Sequence, residues 1–386
     1  MSLEKMKSSM RIRRKQTKVI IIILLICAVL NIAARCSQTF SLFYMKKLFP
    51  VFTEGFAWLT SKLPFSLGEV LIIIAVIGVP LSIAAFVLLM IIKRKNKEAK
   101  RSIRRVYGYV YAWIFVYIIL TETLNCFILY QTPSFAEMYG YPQEKYTAGQ
   151  LEQLADYLIA ETNAVSKRVE RDAEGKFRLT ADLDETAKNA MTKLGDDYPQ
   201  LRGYYATPKA VKNSFFMSQQ YLMGIYFPFT MEANYNDEMY SLNLPDTICH
   251  ELAHTKGFIR EDEANFIGFL ACHVSGNDDY RYSGYLRALK YVISMCEENS
   301  SEETVARLYN SLADEVRTDW NGNVDYWQEV QESDRGIIKS ETVAEVSDKA
   351  MEASLKINGV EDGKKSYGRM VDLLLDWYFV MEAENT

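Results

Sequence analysis

The chain has 386 residues, 49% of them hydrophobic and 24% charged, with a formal net charge of -5. That acidic balance excludes nucleic-acid binding as a general role. The six cysteines are scattered with no Cys-x-x-Cys pair, which excludes a cysteine-framed zinc module and a dense disulfide scaffold.

A mean hydropathy of -0.10 averages two unlike parts. Met1 to Lys18 carries seven basic residues against one acid, and an apolar run over about 19–34 follows. Two further apolar runs, about 70–92 and 107–130, favour a retained span over a cleaved signal peptide. Each run is near the 20 residues a helix needs to cross a bilayer. The loop Lys93–Arg105 holds eight basic residues and one acid, and the loop from Arg35 to Glu69 holds far fewer. Positively charged loops stay in the cytoplasm. The N-terminus is therefore expected inside, and residues 131–386 outside. The expected division is a membrane anchor, 1–130, and an extracytoplasmic domain, 131–386, with the lipid bilayer as first partner. Glu122 interrupts the third run, where interfacial solvation or a helix–helix hydrogen bond accounts for it. Phe40–Leu63, with Trp58 and Lys46-Lys47, reads as an amphipathic segment on the outer leaflet or as packing beneath the soluble domain.

Thr132-Pro133 and Tyr141-Pro142 mark a linker. Apolar spacing predicts a helix over 147–171, opened by a Thr147/Gln150 capping box. A polar turn over 172–178 and a helix over 182–194 follow. Gly224–Thr230 reads as a strand, and Pro228 makes it an edge strand or a break. Glu232–Asn236 reads as a turn. Helical patterns resume from Glu261, over 302–315, over 343–355 and over 367–379. Spacing permits a Cys249–Cys272 or Cys272–Cys296 disulfide. The expected fold is α+β and mainly helical: three transmembrane helices, then a soluble domain with a small sheet.

The chemistry centres on His250-Glu251-Leu252-Ala253-His254, which uses two of the chain's three histidines. On a helix, residues four apart share a face, so two imidazoles can reach one zinc ion. The intervening glutamate is then placed to take a proton from a zinc-activated water. Pro245 suits a first helical turn and Gly257 a helix end. A catalytic zinc takes three protein ligands. His273, the remaining histidine, ends the next helix and reads as structural. The acidic start of that helix is the better source: Glu261 is favoured and Glu263 competes. Asn265, four residues after Glu261, shares its face and could brace a histidine.

Glu261-x-x-Ala264-Asn265 resembles the Glu-x-x-(Ala/Ser)-Asp element of gluzincin metallopeptidases, with Asn265 in place of the acid. The resemblance implies Glu261 as third ligand. Gly257 also matches the metzincin pattern, but Arg260 stands where that pattern's third histidine belongs. The whole chain resembles a bacterial family catalogued as domain of unknown function "thirty-eight-ten", membrane-anchored and zinc-peptidase-like. That likeness rests on Pro64–Glu69, Gly224–Pro228, His250–His254, Arg260–Phe266, Tyr282–Tyr285 and Ser366–Arg369. It implies a zincin-like fold.

The expected function is a membrane-anchored, extracytoplasmic zinc metallopeptidase acting on peptides or cell-envelope proteins. His250, His254 and Glu261 would hold Zn2+, with Glu251 as general base. Tyr282 and Tyr285 are candidates to stabilise the oxyanion. The alternative is an inactive or non-peptidase zincin-fold protein acting as an envelope binding or assembly factor. An intact Glu251 favours the enzyme, because a structural site needs no base beside its ligand.

Overall fold

The computed structural model describes residues 3–357 and 366–385, with side chains described over 14–349, at 352 and over 368–384. The start of the basic N-terminal run and the side chains of Ser366 and Tyr367 lie outside the described residues. The chain forms two units. One comprises the chain up to Phe49, Leu67–Thr132 and Pro228–Thr230; the other comprises Pro50–Ser66, Pro133–Phe227 and the chain from Met231 onward. Pro50–Ser66 and Pro228–Thr230 thus each group with the unit opposite to that of their sequence neighbours.

The first unit contains α1 (Leu3–Cys36) and α2 (Gln38–Phe43). The next helix, α3 (Phe49–Thr60), belongs to the second unit in all but its first residue. The first unit resumes with α4 (Leu67–Ile92) and α5 (Lys97–Glu122). Arg14–Cys36, Leu67–Ile92 and Lys97–Gln131 are long and apolar enough to cross a membrane. They cover the three expected runs and extend further, because nothing in the basic flanks breaks a helix. Asn96 caps α5 by accepting from the Ala99 N–H at 2.9 Å, so the basic loop is mostly helix. Polar links tie these helices together. The Asn31 amide donates to Thr123 Oγ1 at 2.9 Å, and the Tyr111 hydroxyl donates to Ser82 Oγ at 3.0 Å.

The second unit is mainly helical with one small sheet. Its helices are α6 (Phe135–Tyr139), α7 (Ala148–Ser166), α8 (Leu183–Leu194), α9 (Ser214–Ser218), α10 (Leu244–His254), α11 (Glu261–Val274), α12 (Asp278–Asn299), α13 (Glu302–Asn310), α14 (Asp314–Glu332), α15 (Ser340–Ile357) and α16 (Ser366–Asn385). Thr147 and Gln150 do form a reciprocal capping box on α7. The expected helix over 302–315 is instead two helices, separated at Ser311–Ala313.

The sheet orders β1 (Lys209–Val211), β3 (Glu232–Asn236) and β2 (Gly224–Phe227), with β1 parallel and β2 antiparallel to the central β3. Glu232–Asn236 is thus a central strand and not a turn. Its polar side chains, which read as turn residues, are buried and each is hydrogen-bonded or ion-paired, although Asn234 Oδ1 has no partner among the described residues. Glu232 pairs with Lys209 at 2.8 Å. The Asn234 amide donates to Ile225 O at 3.3 Å, and the Asn236 amide donates to Ser218 Oγ at 2.7 Å. Hydrogen bonding of this kind is what permits burial of amides. β2 lies at the sheet's edge, and Pro228 follows its last residue, where no ladder hydrogen bond is lost.

α10 packs on β3, α8 and α11, and α11 packs in turn on α12 and α16. The core is therefore built around the helix pair α10–α11. Ile248, Cys249, Leu252, Phe266, Phe269 and Cys272 are fully buried there. Cys249, Cys272 and Cys296 are all free, buried thiols, so neither permitted disulfide forms.

Candidate metal centre

α10 begins after a tight 3-10 turn at Ser241–Asn243, with Pro245 in its first turn. It ends at His254, and Gly257 adopts φ +97, a backbone region that disfavours any side chain. The chain then doubles back, and the Phe258 carbonyl meets His254 Nδ1 at 2.6 Å. A carbonyl only accepts, so Nδ1 carries the proton and Nε2 keeps its lone pair.

His250 Nε2 lies 3.1 Å from His254 Nε2 and 3.2 Å from Glu261 Oε2. His254 Nε2 lies 3.7 Å from Glu261 Oε1. One ligand atom from each of the three residues falls within 4.8 Å of the others. Two imidazoles and a carboxylate converging in this way could hold a zinc ion. The electrostatics suit a cation. Burial alone would depress His250, but its hydrogen bond and charge contact with Glu261, helped by Glu251 and Asp246, raise it to about 9. Burial lowers His254 to about 4, with His250 adding to the effect against the pull of Glu261. Burial would raise Glu261, but the hydrogen bond from His250 and the charges of both histidines hold it well below the usual carboxylate range. Without a metal, a proton on His250 takes the cation's place.

Glu251 is buried beside this cluster, with Oε1 4.0 Å from His250 Nε2. Among the described residues its Oε2 has no hydrogen-bond partner. Burial raises its carboxyl to about 8, with Glu261 adding to the rise and His250 opposing it. The edge strand makes room for it. A β-carbon on Gly224 would fall 2.6 Å from Glu251 Cγ. Asp246, one turn before His250 and also buried, leaves Oδ1 without a hydrogen-bond partner among the described residues. Burial pushes its carboxyl up to about 6, against Arg287 and His250. Tyr226 on β2 places its ring 6.0 Å from that of His254.

Other sequence candidates lie elsewhere. Glu263 is buried, and its Oε1 accepts from the Phe135 N–H and from Arg260 Nη1, both at 2.9 Å. Its carboxylate is thus engaged in joining α6 to the start of α11. Asn265 makes no hydrogen bond to either histidine among the described residues. Tyr282 donates to Asp319 Oδ2 at 2.7 Å. That buried acid also takes Arg171 Nη1 at 2.9 Å, the Phe177 N–H at 2.8 Å and the Tyr240 hydroxyl at 3.1 Å. Tyr285 pairs with His273 Nδ1 at 2.9 Å. Both tyrosines are fully buried and serve the core, so neither is an oxyanion donor in this arrangement. His273 packs against both Phe269 and Trp377, which also touch each other. Sequence reading missed Gly224 and Asp246. A glycine inside a strand does signal a close approach, and Asp246 is four residues before His250, on the same helical face.

The family described as "Protein of unknown function (DUF3810)" matches residues 44–375. No curated protein and no solved structure matches the chain.

Proposed function

The chain belongs to the DUF3810 family, and we propose that this member is a membrane-anchored, zinc-dependent metallopeptidase. The observation that carries the reading is the convergence of His250, His254 and Glu261 beside a buried Glu251 with an unpartnered oxygen. A purely structural metal site needs no such base.

In this reading His250, His254 and Glu261 hold Zn2+, which when bound supplies a Lewis acid for a water and for the scissile carbonyl. Glu251 Oε2 takes the water's proton as the water oxygen adds to the carbonyl carbon. The same carboxyl returns that proton to the amine as the C–N bond breaks. The Phe258 carbonyl fixes the tautomer of His254. β2 is the edge strand beside Glu251, and an extended peptide would pair along it in this reading. The three apolar helices cross the membrane, with the basic segments cytoplasmic and the second unit outside.

Purified full-length protein is expected to carry about one zinc per chain and to lose it on His250→Ala. Glu251→Gln is expected to keep the metal and lose turnover of envelope peptides by about 10²–10⁴-fold. A metal-free wild-type chain, or a Glu251→Gln variant at the full rate, would end this reading.

A further inference from the structure

α3 is patterned inside out. Thr53, Ala57 and Thr60 recur at helical spacing and are buried, whereas Val51, Phe52, Phe56, Trp58 and Leu59 are exposed. Val51 is 71% exposed and Trp58 56%. Isolated exposed apolar residues are ordinary, but a helix that buries threonines and exposes a phenylalanine–tryptophan face is built to meet a second apolar phase.

The buried side is secured by polar contacts. Glu54 Oε1 accepts from the Tyr204 N–H at 3.2 Å and pairs with Lys256 Nζ at 3.5 Å. Lys209 Nζ donates to Thr60 O, at the end of α3, and to Phe65 O at 3.0 Å. α3 is thus a fixed part of the unit that carries the metal centre, and its apolar face is not waiting to fold inward.

Chain connectivity says what covers that face. α3 ends at Thr60, and the apolar helix α4 starts at Leu67. Seven residues reach at most about 25 Å. On its other side, short helical segments from Gln38 to Leu48 join α3 to the apolar helix α1. With α1 and α4 spanning the membrane, both ends of α3 are tethered close to a bilayer surface. The residue types suit that surface. Lys62 Nζ lies 3.2 Å from the centroid of the Trp58 ring, and tryptophan beside a lysine with a long apolar stem is the composition of a membrane interface.

We propose that the exposed face of α3 is a lipid-binding surface, lying in the bilayer interface. The proposal rests on the membrane-spanning reading of α1 and α4 and not on catalysis. Its test is therefore independent of turnover. The full chain is placed, one copy per nanodisc, in lipid with brominated acyl chains, in a Trp113→Phe background that removes the tryptophan of α5. Tryptophan emission is expected to be quenched relative to ordinary lipid, and adding Trp58→Phe is expected to abolish that loss. Phe52→Glu with Phe56→Glu, leaving Trp58 in place, should reduce the quenching. Equal bromolipid quenching with and without Trp58 overturns the proposal. So does shielding of Trp58 that appears only when two chains share a disc, which would assign the face to a second copy.

Discussion

Gly224 and Glu251 share one space: a β-carbon on the strand residue would fall 2.6 Å from Cγ of the helix residue. The edge strand therefore sets the position of Glu251, and the glycine is required by its neighbour, not by backbone conformation. Gly224→Ala is expected to push Glu251 away or to spread the strand from α10. We expect a loss of about 1–3 kcal/mol in stability. Turnover should fall by more than that loss explains, with metal content unchanged. Chemical denaturation, metal analysis and peptide hydrolysis on one preparation check this. A variant with wild-type stability and rate would show that the packing is looser than described.

The two acids at the start of α11 should respond oppositely. Glu261→Gln is expected to lower zinc affinity by at least 10-fold, because it removes a charged ligand candidate. Glu263→Gln is expected to keep zinc but cost roughly 1–3 kcal/mol, since the Arg260 and Phe135 contacts lose their charged acceptor. Zinc titration and urea unfolding of both variants separate the roles. Metal loss in the Glu263 variant alone would reverse the assignment.

Zinc binding should expel protons. At pH 7 the metal-free site carries a proton on His250, raised to about 9, and on Glu251, raised to about 8. A dication in the cluster displaces the first and favours loss of the second. Calorimetry in buffers of different ionisation enthalpy should report more than one proton released near pH 7. The number should fall toward none above the His250 value of about 9. Glu251→Gln should remove the second proton and leave the first. A pH-independent count would contradict the protonation pattern.

His273 makes the metal-independent fold acid-sensitive. Burial, with Arg281 and Lys193 adding to it, lowers this histidine from 6.5 to about 4. The unfolded chain then binds a proton at a higher pH than the folded one. Stability from this group is complete above about pH 6.5 and is lost as pH falls toward 4, by roughly 3 kcal/mol. His273→Gln should flatten that part of the profile while keeping a partner for Tyr285. Urea midpoints at pH 4.5 and 7 test it, and an unchanged slope would locate the acid sensitivity elsewhere.

The parts legible in the sequence were those with a short-range period. Two histidines four apart need only a helix to share a face, and Glu261 needs only a helix start one turn beyond Gly257. The apolar runs read directly as α1, α4 and α5. What failed depended on partners distant in sequence. Glu232–Asn236 looked like a turn because its polarity is local, whereas Lys209 and Ser218, which make its burial possible, are not. Tyr282 and Tyr285 looked available because periodicity cannot tell a core-facing hydroxyl from one facing a cleft. Their partners, Asp319 and His273, decide it. Asn265 occupied a motif position without making the contact that the motif implies.

Glu54 gives the lipid-facing helix a geometric consequence. It ties α3 to Lys256, two residues past the second histidine, so whatever presses on α3 is felt at the end of the helix that carries both histidines.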